Sequence, residues 1–433
     1  MSHLNAASPG HLPAGSTADV DTLVRTLLLS AVFLLLWISL RPFGSLAEVR
    51  EVTEAGNLAN QVGYSLLFVL IAAWCAAHQP RRLLLLLRPI LIVTLTWCAF
   101  CVAISWEPQL SARRFAFTLI VISIAAMVML VPKNIRQFSD VLTAVVMIVL
   151  ALCYFGVVFA PSVSIHQATD YIEPELAGDW RGVFGHKNEA SLVMVLFIFI
   201  GLFVSHVRGA GLGGLIVVLS LVFLLFTRSK SAIGMLPVVL FVSFVMARTR
   251  RPRVGIALSL SILALLSIFT VGSVFFEPVR NVVDKILPDP TFTGRTEIWP
   301  FVAERIEQRP LTGYGFAAFW RTPEVVYGMG GGEVWANAAS HAHNGYLDLA
   351  LTIGIPGSVL VTLWLVVLPM LDFYRSQREQ SVAPLKMLFL RVCIFAAYEA
   401  CLESTLLPEG ANGLFLFAAA FGLRFISMTR VMA

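Results

Sequence analysis

With 433 residues, 58% of them hydrophobic and 13% charged, the chain is far more apolar than a soluble domain, which carries roughly 45–50% apolar and about 25% charged residues. That balance excludes a soluble multidomain enzyme. The formal net charge of +5 does not point to nucleic acid either, because the basic residues are scattered through short loops instead of sharing one face. All six cysteines fall within or beside apolar runs without zinc spacing, so neither disulfides nor a cysteine metal site is expected.

In chain order, residues 1–22 are rich in Ser, Pro, Gly and Ala and lack the basic region and small-residue cleavage site of a signal peptide. They read as a disordered cytoplasmic tail. Residues 23–433 read as one polytopic membrane domain. Apolar runs near 23–40, 58–77, 83–104, 115–132, 138–160, 188–206, 211–227, 231–247, 254–276, 345–371, 386–404 and 410–428 approach the roughly 20 residues that cross a bilayer as a helix. The expected fold class is an all-α integral membrane protein of about twelve transmembrane helices with one large extracytoplasmic loop, residues 277–344.

Short basic loops, including Arg81, Arg82, Lys133, Arg136, Arg208, the Arg248–Arg253 run, Arg375, Arg378 and Lys386, fall on one side and mark it as the cytoplasm. Arg113, Arg114, Arg181, Lys187, Arg228, Lys230, Arg295, Arg305, Arg309 and Arg321 then lie on the outer side, where topology alone does not call for them. Outer-face cations suit a phosphate or diphosphate at headgroup level; the alternative is that exported loops tolerate some basic residues.

Three motifs carry the chemistry. Gly178-Asp179-Trp180-Arg181-Gly182-Val183-Phe184-Gly185-His186-Lys187-Asn188 runs straight into a span, and Asn188 reads as a helix cap beside Lys187 at an anion-binding N-terminus. Thr227-Arg228-Ser229-Lys230-Ser231 separates two spans with almost no loop and holds both cations at the interface. The polar run from Thr291 to Asp348 begins with a helix opened by Gly294-Arg295 and stopping before Pro310, with Ile298, Val302 and Ile306 near helical spacing. A tight turn follows at Leu311–Phe316, then the flexible connector Gly328-Met329-Gly330-Gly331-Gly332 and His341-Ala342-His343-Asn344. The two histidines would point about 200° apart on a helix, which argues against a shared metal ion, whereas an extended segment puts them on one side. An imidazole there suits proton abstraction from a hydroxyl. Glu297, Glu304 and Glu333 have no fixed separation for glycoside hydrolysis, and Asp19-Val20-Asp21 lies in the tail. Glu399 and Glu403, four apart in a late run, keep a transporter reading open.

From Gly178 to about Gly357, the order Arg181–Asn188, Ser229-Lys230-Ser231-Ala232, Gly294–Trp299, Pro310–Gly315 and His343-Asn344-Gly345-Tyr346-Leu347 resembles the O-antigen ligase and polysaccharide polymerase superfamily of bacterial inner-membrane proteins. Gly185-His186-Lys187-Asn188 is most similar to its exopolysaccharide polymerase branch. The resemblance implies a metal-independent inverting glycosyltransferase without cofactor, facing the periplasm. It would take an undecaprenyl-diphosphate-linked donor and a glycan acceptor, among membrane lipid and polysaccharide export or chain-length proteins. It assigns His343 as catalytic base with His341 as its substitute, and Lys230, Arg295 and Arg181 as diphosphate-binding cations, to which the charges at the span mouths add Lys187 and Arg228. Many ligases have Ser-Arg where this chain has Ser229-Lys230, so a bidentate contact becomes a point charge unless Arg228 substitutes. A ligase acting on lipid A core or protein, and a transporter or lipid-linked glycan flippase, are the alternatives.

Overall fold

The computed structural model describes residues 14–40, 42–44, 58–170, 173–287, 289–322, 325, 339–376, 381–408 and 410–428. It is all-helical and multi-pass. We number the helices α1 (Ala14–Ser39), α2 (Leu58–His78), α3 (Pro80–Leu86), α4 (Pro89–Ala103), α5 (Pro108–Val128), α6 (Ile135–Phe159), α7 (Lys187–Arg208) and α8 (Ala210–Phe226). Then come α9 (Lys230–Arg248), α10 (Pro252–Phe269), α11 (Glu277–Ile286), α12 (Arg295–Gln308), α13 (Gly345–Thr362), α14 (Ala383–Glu399) and α15 (Leu414–Met428). A π turn, Leu363–Val367, and a further helical stretch extend α13 to Arg375.

Each of the twelve apolar runs is helical, but the helices are not equally long. Among the described residues, eight are long and apolar enough to cross a membrane, and α3 with α4 forms a ninth candidate bent by 73°. The bend falls at Leu87 and Arg88, the latter extended because the ring of Pro89 disfavours a helical residue before it. The remaining three, α8, α14 and α15, have 15 to 17 residues. Residues 14–22, expected to be unstructured, are the start of α1.

Burial sorts the helices by position. Both α14 and α15 are buried along most of their length, as is α7, whereas α10 fully buries only Gly255 and Ser259, with Ile256, Leu260 and Leu263 partly buried against the core. Outward-facing Leu66, Val69 and Leu70 of α2 and Phe241 and Phe244 of α9 have the chemistry of lipid-facing surface. Glycine brings α7 and α8 close: a Cβ on Gly213 would lie 2.5 Å from the Gly201 carbonyl oxygen.

The kink in α13 positions the outer loop. Gly354 has φ 72°, and a Cβ there would sit 2.0 Å from the Leu311 carbonyl oxygen, so the turn and the kink require glycine together. Breaking the helix frees backbone groups that would be costly to leave unpaired in a membrane. Tyr314 N–H donates to Leu351 O at 3.0 Å, Gly315 N–H to Thr352 O at 2.9 Å and Trp97 Nε1 to Ile353 O at 2.8 Å, while Ile355 N–H donates to Pro310 O at 2.8 Å. The Leu311–Phe316 turn is thereby sewn into the bundle and carries α12 with it.

Candidate functional site

At the start of α13, Asn344 caps the helix by accepting from Tyr346 and Leu347 N–H, and its own Nδ2 donates to Cys401 O at 2.9 Å. Asp348, one turn on, accepts from Ala342 N–H, from Trp320 Nε1 at 2.8 Å and from Ser404 Oγ. Trp299 of α12, fully buried, donates to Ala342 O at 3.1 Å. These bonds fix the His341–His343 segment from both sides. His343 takes φ 48°, and that left-handed residue turns the chain so that the two rings meet, centroids 4.0 Å apart. The 200° divergence expected of a helix does not occur, because the segment is not helical.

The rings meet at Glu403. Its Oε2 lies 3.2 Å from His343 Nδ1, and its Oε1 accepts from Arg295 Nη2 at 2.5 Å and from Asn188 Nδ2 at 3.2 Å. Burial pushes the carboxyl upward, but Arg295 and the bond to His343 outweigh it and hold Glu403 well below the usual carboxylate range. An ionised carboxylate only accepts, so His343 Nδ1 is the donor to it, and in the neutral ring the lone pair then sits on Nε2, on a side chain 30% exposed. His341 has a different task. Burial, then the neighbouring His343, depresses it to about 3, so it is neutral, and its Nδ1 accepts the His343 backbone N–H at 3.2 Å. It shapes the backbone at His343.

His341, His343 and Glu403 offer ligand atoms within 4.8 Å of one another, a set able to hold a metal ion. Of the two geometries open to the segment, the non-helical one brings the histidines together, so the divergence that argued against a shared ion is absent. Arg295, however, sits on the same carboxylate, so a cation would have to displace or face a guanidinium. The arrangement suits an oriented imidazole better.

The predicted cations divide. Arg295 joins the histidines. Lys230 is exposed at the start of α9 and acts electrostatically on Asp289, while its neighbour Ser231 donates from Oγ to Glu399 Oε1 at 2.7 Å. Arg181, Lys187 and Arg228 belong to a second cluster. Lys187 Nζ lies 2.6 Å from Asp179 Oδ2 and Arg228 Nη1 3.4 Å from Asp179 Oδ1, whereas Arg181 is buried and donates to Gly185 O at 3.3 Å. His186, not Asn188, caps α7, accepting from Asn188 N–H at 3.1 Å, and this releases the Asn188 side chain to reach Glu403. Other outer cations are used structurally: Arg114 donates to Ala317 O, and Arg309 lies 5.0 Å over the Tyr314 ring. The Gly328–Gly332 connector and Glu333 lie outside the described residues.

Sequence reasoning missed the roles of Glu403, Asp348 and Asn188. The run 386–404 reads as a single span, but α14 ends at Glu399; Glu403 N–H still donates to Glu399 O at 2.8 Å in the closing turn, while the two carboxylates take different partners, Ser231 for Glu399 and Arg295 with His343 for Glu403. The one available signal was an acid just beyond a span, followed by Ser404 and Thr405.

One comparison bears on this site directly. Residues 215–362 match the family described as O-antigen ligase. The O-antigen ligase segment takes in Arg228, Lys230, Arg295, His341 and His343, which agrees with the resemblance read from the motifs; Arg181, Lys187 and Glu403 lie outside it. The chain is 32% identical over 122 residues to a provisionally named polysaccharide ligase of Rickettsia felis, and 30% identical over 122 residues to one of Rickettsia conorii. It is 33% identical over 85 residues to the exopolysaccharide production protein ExoQ of Rhizobium meliloti. These stretches cover 28%, 28% and 18% of this chain, and 30%, 29% and 18% of the relatives, so less than a third of each relative is spanned.

Proposed function

We propose that this protein is a glycosyltransferase of the bacterial inner membrane, with its site facing the periplasm, that joins undecaprenyl-diphosphate-linked repeat units into an exopolysaccharide. The observation that carries the reading is the meeting of His343, Glu403 and Arg295 in a chain whose segment 215–362 matches the O-antigen ligase family. Glu403 orients His343, whose Nε2 takes the proton from an acceptor sugar hydroxyl. The hydroxyl oxygen attacks the anomeric carbon as the bond to the lipid diphosphate breaks, and the electron pair leaves on that diphosphate. Lys230 and Arg295, with Arg228, Lys187 and Arg181 at the neighbouring α7 mouth, supply positive charge for the leaving group. One displacement inverts the carbon, and no step needs a metal ion.

A ligase that passes the same donor to lipid A core or protein is equally supported, since the names of the two Rickettsia relatives point to ligation and that of the Rhizobium relative to exopolysaccharide production. The acceptor separates the two. The transporter reading loses its main feature, because Glu403 lies in a loop paired to Arg295 and His343 and Glu399 is bonded to Ser231. In a reconstitution with radiolabelled undecaprenyl-diphosphate repeat unit and no added metal, wild type should lengthen the glycan-lipid and release undecaprenyl diphosphate. His343→Ala should lose roughly 10²- to 10⁴-fold in rate. Transfer only when a core lipid is added would make the protein a ligase, and an undiminished His343→Ala rate would sink the base assignment.

A further inference from the structure

A second buried carboxylate lies at the other end of α13. The helix runs from Gly345 to Arg375, 31 residues or about 46 Å of rise, so this end faces the opposite side of the membrane from His343. Asp372, fully buried, is bonded to Arg88 at the bend between α3 and α4, and Arg375 Nη1 lies 3.6 Å from its other oxygen. Ser427 Oγ donates to Asp372 Oδ1 at 3.2 Å, and Arg424 of α15 exerts its charge on both Asp372 and Arg88. Among the described residues, three guanidinium groups therefore act on this one carboxylate, a surplus of two positive charges. Arg424 spends only Nε on the protein, at 3.3 Å from Leu85 O, and its two Nη groups have no partner among the described residues. Arg88 and Arg424 line one cleft with Leu86, Trp364, Ala420 and Phe421.

A surplus of guanidinium beside apolar walls, at the level where a span ends, has the composition of a headgroup seat. We propose that this arginine cluster binds the phosphate of an anionic membrane phospholipid, with Arg424 of the cleft and the exposed Arg375 beside it contacting the phosphate, and with the buried Leu86, Trp364 and Phe421 holding Arg88 and Arg424 in place from behind. Arg88 is committed to Asp372 and holds the broken α3–α4 corner in place. A zwitterionic lipid gains less, because its ammonium group would add to the surplus charge. The basic residues Arg81 and Arg82 on α3 place this end on the cytoplasmic side by charge bias, so the lipid would come from the inner leaflet.

The test is native mass spectrometry of the full chain, exchanged into detergent with equimolar cardiolipin, phosphatidylglycerol and phosphatidylcholine. Wild type should retain the anionic lipids preferentially. Arg375→Gln/Arg424→Gln should weaken that retention on the order of tenfold or more while leaving phosphatidylcholine unchanged. Should Arg424→Gln fail to fold, Arg375→Gln alone serves, since that side chain is 61% exposed. Equal retention of all three lipids, or anionic retention unaffected by the variants, would overturn the proposal. Arginine-dependent thermal stabilisation by inorganic phosphate, without preference among lipids, would overturn the lipid assignment and identify a soluble phosphate as the occupant.

Discussion

Glu403 and Asp372 are the same device at the two ends of one helix: a buried carboxylate held by arginine. The difference lies in their second partner. Glu403 shares its oxygens between Arg295 and His343, whereas Asp372 meets Arg88, Arg375 and Ser427. Arginine stays charged at any pH of interest, so the Asp372 end can hold charge but cannot move a proton. Imidazole changes charge near neutrality, so the Glu403 end can do both. Two sites equally rich in buried charge thus differ in what chemistry they permit.

The largest way to break the comparison is to remove an arginine from each end. Arg295→Gln and Arg88→Gln each remove the closest guanidinium from a buried carboxylate; breaking a buried pair outright costs about 3–5 kcal/mol, and the partners that remain on Glu403 and Asp372 should hold the loss below that, so both should lower the thermal midpoint in detergent. Arg295 also shares Glu403 with the proposed base His343, so its loss of glycan transfer should exceed its loss of folded protein. A loss no greater than the folded fraction explains would reduce Arg295 to a structural role like that of Arg88.

Much of this was legible beforehand, and the boundary has a physical basis. The twelve apolar runs, the α12 limits at Gly294 and Pro310, and the glycine turn at Leu311–Phe316 are local signals, because chain stiffness and hydrophobic periodicity act over a few residues. His343 and Arg295 stood out as titratable groups flanking spans. Glu403 did not, because its bonds reach back 60, 108 and 215 residues, to His343, Arg295 and Asn188. A single sequence records no such pairing. The ends of α14 were misjudged for a related reason: Ser404 and Thr405 are mild breakers, and the bonds from Gly345 and Asn344 to the backbone of Ala400 and Cys401 help end the helix there.

Acid should also separate the ends. His341, neutral in the fold and depressed to about 3, takes up its proton near 6.5 once unfolded. The unfolded chain therefore binds more protons between those values, and stability must fall as the pH is lowered through that window. Glu403 works in the same direction lower down, since its depressed value stabilises the fold above the ordinary carboxyl pKa and that contribution is lost as pH falls through the folded value. His166, depressed to about 4 by burial and then His186, adds to the slope. His341→Gln keeps an acceptor for the His343 N–H, and should flatten the decline of the thermal midpoint between pH 6.5 and 4 without abolishing it. A decline as steep as wild type would mean that His341 is protonated in the fold.

The smallest effect concerns the second outer cluster, where Asp179 competes with any diphosphate for Lys187 and Arg228. Arg228 is 68% exposed and 3.4 Å from its partner oxygen, so as an ion pair it should contribute about 0–1 kcal/mol. Arg228→Gln should therefore barely move the thermal midpoint. If its guanidinium instead leaves Asp179 to meet the donor, the variant should show a raised KM for the lipid-linked substrate with kcat little changed, and the increase should be smaller than that of Lys230→Gln, whose ammonium makes no comparable carboxylate contact among the described residues. Equal KM values for Arg228→Gln and wild type would confine the donor to Lys230 and Arg295, and would leave the Asp179 cluster as a clamp on the mouth of α7.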